Sequence, residues 1–175
     1  MEYILDPLHS DVEFKIKHLM ISTVKGRFEK FDAGIISGKE DFSDAYIWAN
    51  IEIESINTSI TDRDIHLKGP DFFDVEKHPL MMFRSKRLEP TEEKGSFKIW
   101  GDLTIKGVTK EVCLKGVYTG NDEDNYGRTK FGFEIGGKIN RKDWNLNFNL
   151  AGGKSTLLIG DEVCLDISIQ ITRKQ

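Results

Sequence analysis

Hydrophobic and polar residues alternate along most of this chain with a period of two, the spacing that turns one face of a strand to a core and the other to water. Residues 11–18 place Val12, Phe14, Ile16 and His18 on one face and Glu13, Lys15 and Lys17 on the other. The same phase recurs at Ala45, Ile47, Ala49, Ile51 and Ile53, at Phe97, Ile99, Gly101, Leu103 and Ile105, and at Phe131, Phe133, Ile135, Gly137 and Ile139. It is clearest at Val163, Leu165, Ile167, Ile169 and Ile171. Residues 24–36, broken by Gly26, Phe31 and Gly34, read as two strand pieces around a bend or bulge. Residues 80–88 form a further strand, followed by a turn over 89–96 that carries Pro90 and Gly95. Lys106-Gly107 predicts a tight reversal into a strand over 108–118, and the acidic stretch 120–127 an exposed loop. Residues 140–160 are rich in Asn and Gly, yet Trp144, Leu146, Phe148 and Leu150 suit a segment that covers apolar surface. About eight alternating segments joined by short turns predict an all-β fold, an antiparallel β-barrel. A barrel of about eight strands holds either packed side chains or one elongated ligand.

One stretch, residues 55–83, interrupts this pattern. Thr61 and Asp64 have the spacing of a capping box at the start of a short helix, and Gly69-Pro70 would end it. The segment reads as a short helical insertion that plugs or covers one end of the strands. Phe72, Phe73, Leu80 and Phe83 give it an apolar side to pack on the barrel.

Composition narrows the function classes. At 175 residues the chain fits a single domain, 1–175, with room for a sizeable core. A net charge of -4 argues against nucleic acid as a partner, and the basic group 84–87 reads as a solvated strand edge. No apolar run approaches the roughly 18 residues of a spanning helix, so the chain is expected not to span a membrane. The start MEYILDPLHS carries no secretory signal, which favours the cytoplasm, or the periplasm if Met1 replaces a removed signal. Cys113 and Cys164 take the minority phase of their strands, leaving free thiols and a single bridge both open.

The candidate chemistry is sparse. His66 and Asp62 have helical spacing, with Asp64, Asp71, Asp74 and His78 close in sequence, so a metal-dependent enzyme using the 62–78 region is one alternative. Capping and loop-fixing hydrogen bonds account for the same residues more simply. Gly153-Lys154-Ser155 resembles the end of a phosphate loop but lacks its first glycine and a parallel sheet. No nucleophile elbow is present, and no catalytic residue or metal ligand is assigned. The inward Phe, Ile and Leu side chains suit a filled core or a ligand cavity equally, and Gly101, Gly137, Ala45 and Ala49 in the same phase lean toward a cavity. Trp48 and Trp100, outside that phase, would suit a homodimer contact.

A family resemblance rests on many short motifs in order. His9-Ser10, Phe14, His18, Gly26 and Phe28 are followed by Ser55-Ile56, Thr58, Arg63-Asp64, His66-Leu67 and Asp71-Phe72-Phe73-Asp74 with Pro79 and Phe83. Gly101, Leu103-Thr104-Ile105, Gly107-Val108-Thr109-Lys110 and Asn140-Arg141-Lys142-Asp143 continue the series. Over nearly its whole length the chain resembles the YceI-like proteins, bacterial lipid-binding barrels of lipocalin-like form. Trp144 stands where that family commonly has Phe, and Asn145 replaces the glycine that follows. The resemblance implies a non-enzymatic protein that binds, transports or stores an isoprenoid-type or fatty-acid-like amphiphilic lipid, with no other cofactor. Together with the alternation it implies lipid contacts at Phe14, Ile16, His18, Phe28, Phe83, Leu103, Phe131, Phe133 and Ile167. It also implies a lid carrying Arg63, Asp64, His66, Phe72 and Phe73. A ligand-free stress-response or interaction module is the remaining alternative.

Overall fold

The computed structural model describes residues 1–18, 21–149 and 159–174. Its strands are β1 (Glu2–Leu5), β2 (Asp11–His18), β3 (Ser22–Phe28), β4 (Phe31–Ile36), β5 (Tyr46–Glu52), β6 (Ile56–Asn57), β7 (Leu80–Pro90), β8 (Ser96–Ile105), β9 (Val108–Glu123), β10 (Thr129–Asn140) and β11 (Ile159–Arg173). Helix α1 spans Thr61–Lys68. Every strand pairing is antiparallel, and the ring β1-β4-β5-β7-β8-β9-β10-β11 closes where β1 pairs with β11, giving an eight-strand barrel. Closure removes the exposed edges that an open sheet would offer for aggregation. Strands β2, β3 and β6 extend the wall at the end that carries α1, because long β11 pairs with β1 at one end and β2 at the other.

Local chemistry explains the turns. Lys106 and Gly107 both have positive φ, 52° and 74°, which is the two-residue hairpin geometry whose twist matches its strands. Asn145 (φ 58°, ψ 25°) takes the left-handed position that ends the turn Arg141–Trp144, a conformation asparagine adopts more readily than most residues with a side chain.

The two strand pieces expected over 24–36 are β3 and β4, joined by a bend at Glu29 and Lys30, with Gly26 in register opposite Phe14. Four other expectations are corrected. Strand β7 runs on to Pro90, and β9 continues to Glu123, so only the tip around Asp124–Arg128 remains of the acidic loop. Thr61 is the first helical residue rather than the cap, which is Ile60 without a capping side chain. Gly69 ends α1 with φ -75°, so no left-handed closure is involved.

The core is continuous along the barrel axis. Phe83, Ile99, Leu103, Ile105, Val112, Leu114, Trp144 and Leu146 fill the α1 end and middle. Tyr3, Ile35, Phe42, Ala45, Phe133 and Ile171 fill the opposite end. Trp48 and Trp100 are covered by their own chain: Trp48 lies over Gly34, and the Arg87 guanidinium stacks 4.5 Å above the Trp100 ring. Cys113 and Cys164 are free thiols.

Candidate functional site: an apolar tube beneath the helix

The alternation of the strands builds an internal cavity of about 150 Å³. Its wall includes Phe14, Phe28, Phe83, Leu103, Phe133 and Ile167, together with Ala45, Ile47, Ala49 and Ile51 from β5. A second cavity of about 270 Å³ lies beneath α1, lined by Ile16, His18, Arg63, His66, Phe72 and Phe73 among others. Phe14, Phe28, Met81, Ile139 and Leu165 line both cavities, so the two chambers adjoin along the barrel interior. Of the residues assigned to the interior from sequence, only Phe131 lines neither cavity. It lines an open funnel of about 1230 Å³ at the far end.

Beyond the chambers the funnel carries charged residues such as Lys94, Arg128 and Lys174, but within the chambers the polar side chains other than Glu13 gather at the α1 end. There Lys17, His18, Thr58, Arg63, His66 and Arg141 join the wall of the chamber. Thr58, Arg63, His66 and Arg141 are held there by hydrogen bonds. Buried Thr58 donates its hydroxyl to Asp64 Oδ1 at 2.6 Å and accepts from Arg63 Nε at 2.7 Å, while Arg63 Nη2 reaches the Thr58 carbonyl at 2.6 Å. The backbone N–H of Thr58 also donates to Asp64 Oδ1, at 2.9 Å. Asp64 therefore anchors the start of α1 from outside the chamber instead of lining it. His66 Nε2 pairs with Asp71 Oδ2 at 2.9 Å, and its ring meets Phe72 and Phe148 edge-on at 5.1 and 4.8 Å.

Arg141 and Trp144 were not assigned to the site from sequence, yet they hold its rim. Arg141 is buried and donates to the carbonyls of Leu146, Phe148, Ile159 and Gly160, stapling the segment after the 141–144 turn to β11. Burial pushes its pKa down while nearby Asp161 opposes that shift, and a guanidinium remains charged regardless. Trp144, 1% exposed, donates its indole N–H to the Leu103 carbonyl at 2.9 Å. Leu150 and the 153–155 motif lie outside the described residues.

The polar residues of 62–78 do not converge. Asp64 is taken up by Thr58 and His66 by Asp71, while His78 packs against Gly107 at the β8–β9 turn. Among the described residues no three His, Cys, Asp or Glu side chains approach a common metal position.

The YceI-like domain model matches residues 3–171. This chain belongs to the YceI-like family. A UPF0312 protein of Staphylococcus epidermidis is 36% identical over 168 residues, covering 95% of each chain, and one of Staphylococcus aureus is 36% identical over 171 residues, covering 97% of this chain and 96% of the relative. The solved Campylobacter jejuni YCEI protein shares 37% identity and superposes with TM-score 0.75, covering 98% of this chain and 97% of its own. Burkholderia cenocepacia BcnA (23% identity, TM-score 0.80, covering 95% and 98%) and a polyisoprenoid binding domain from Saccharophagus degradans (16%, 0.72, 98% of each) share the barrel. In this chain the Arg63-Asp64-x-His66 motif is the bracket that ties α1 to Thr58 before it and to Asp71 after it.

Proposed function

We propose that this protein is a non-enzymatic carrier or store for an isoprenoid-type or other amphiphilic lipid. The tail occupies the two-chambered tube, and the head group lies beneath α1. The carrying observation is the division of the wall: the inner chamber is lined almost wholly by apolar side chains, whereas His18, Thr58, Arg63 and His66 line the chamber beneath α1. A tail moved from water into such a wall gains about 25 cal/mol per Å² of apolar surface buried, so retention needs no covalent or metal chemistry. The named ligand class of the Saccharophagus degradans domain, which shares the fold, supports the same reading.

Native purification followed by solvent extraction and mass spectrometry, alongside elemental analysis, tests it. A long-chain lipid near one equivalent is expected. Metal without lipid would favour the 62–78 region as a metal centre, and neither would favour a ligand-free module. Phe133→Asp places a carboxylate in the inner wall and is expected to abolish retention; a folded variant that keeps its lipid would remove that wall from the site.

A further inference from the structure

The tube has a far end, closed by an aromatic cluster with Phe42 at its centre. Phe42 belongs to no strand, yet it is 5% exposed and lines both the inner chamber and the outer funnel. Its ring meets Tyr3, Phe131, Phe133 and Tyr118 at centroid separations of 5.0, 5.4, 5.2 and 6.4 Å. This is aromatic packing around a single inserted ring, in the tilted and edge-on arrangements that such rings prefer.

The backbone is arranged to drive the ring inward. Phe42 has φ 58°, a left-handed conformation that costs a bulky residue free energy unless its surroundings enforce it. Asp44 does so: its carboxylate accepts from the Ser37 hydroxyl at 2.7 Å and from the Gly38 and Lys39 amides at 3.2 Å each. The Ala45 amide closes the turn on the Phe42 carbonyl at 3.1 Å. Ser37, 1% exposed, shares its single hydroxyl proton between Asp44 and the Lys39 carbonyl oxygen, each 2.7 Å away. A loop held this firmly, delivering one aromatic ring between chamber and funnel, is built as a stopper.

We infer that Phe42 sets the length of tail the tube accepts. A tail entering from the α1 end advances past Phe14 and Phe83 until it meets the Phe42 ring, and any further carbons must fold back or stay outside. Removing the ring joins the chamber to the funnel, whose lining offers Tyr3, Phe97, Tyr118 and Phe131 to a longer tail beside charged residues such as Lys94 and Arg128. This inference rests on the lipid-carrier reading and adds the determinant of its chain-length selectivity.

A homologous series of straight-chain primary alcohols, titrated against delipidated protein by calorimetry, separates the two. While the tail still lengthens within the tube, each added methylene is expected to tighten binding roughly four-fold, and the gain stops at a plateau length. In Phe42→Ala the plateau moves to longer alcohols; in Phe42→Trp it stays or moves shorter. Circular dichroism identifies the folded variants, and Phe42→Leu, with a smaller change in volume, stands in if Phe42→Ala does not fold. A wild-type protein that binds no member of the series overturns the lipid reading. A wild-type plateau left unmoved in the folded Ala or Leu variant overturns the stopper and leaves the lipid reading standing.

Discussion

Gly101 shows how a residue without a side chain shapes this tube. The inward glycines suggest empty space in the sequence, but a Cβ at Gly101 would lie 2.5 Å from Phe83 Cζ and 2.6 Å from the Arg84 carbonyl oxygen. Phe83 therefore lies across β8 where a side chain would otherwise stand. Gly137 likewise makes room for Leu114, whose Cδ2 would be 2.6 Å from its Cβ, and Gly26 for the Phe14 ring. Ala45 and Ala49 do line the chamber. Gly101→Ala is expected to cost about 1–3 kcal/mol, because a backbone atom is among the atoms struck and cannot swing aside. The denaturant midpoint should fall with an unchanged m-value. Arg141→Met makes a different demand, since it removes the donor to buried carbonyls around the rim. A loss of about 1–3 kcal/mol is expected, with faster amide exchange at the chain near Leu146 and at Ile159 than in β8.

Among the elements, the strands were the most legible, since a half-buried wall imposes a period of two that every residue reports. Strand β2 coincides with the alternation read over 11–18. The helix was legible in place but not in its caps: Asp64 does reach back, but to Thr58, a residue beyond the ordinary capping position. Phe42 was illegible. Its direction comes from a single left-handed residue and the Asp44 hydrogen bonds, neither of which has a period, and the only sign was an aromatic among acidic neighbours. The same loop and the β1 end carry a pH dependence. Partial burial raises the Asp6 pKa, but bonds from Lys130 at 2.9 Å and His9 outweigh it, leaving it below its ordinary value. The Ser37 hydroxyl and the Lys39 and Gly38 amides likewise lower the Asp44 pKa against its desolvation. A carboxyl with a lowered folded-state pKa stabilises the fold above its unfolded pKa and loses that contribution as pH falls through the folded value. The melting temperature is therefore expected to drop as pH falls below the ordinary aspartate range, and less steeply in Asp6→Asn, whose wild-type-like slope would remove Asp6 from the account.

At the scale of the whole molecule the barrel is closed around its circumference and polarised along its axis. Among the described residues the α1 end gathers Arg63, His66 and Arg141 at the tube wall, whereas Phe42 and Phe133 close the other end within an aromatic cluster. On the proposed lipid reading that polarity favours one orientation, tail toward Phe42 and head toward α1, because a head group lodged in the apolar inner chamber would be buried without hydrogen-bond partners. Trp144 reports it. Of the three tryptophans in the chain, Trp144 lines the chamber beneath α1, while Trp48 and Trp100 pack on the outer wall. In a Trp48→Phe, Trp100→Phe background the fluorescence of Trp144 is expected to be quenched more strongly by a fatty acid brominated near its carboxyl group than by one brominated at its methyl end. Stronger quenching by the methyl-end probe would reverse the orientation and move head-group recognition away from the Arg63-Asp64-x-His66 bracket. Equal quenching by both would mean that the tail does not run along the barrel axis.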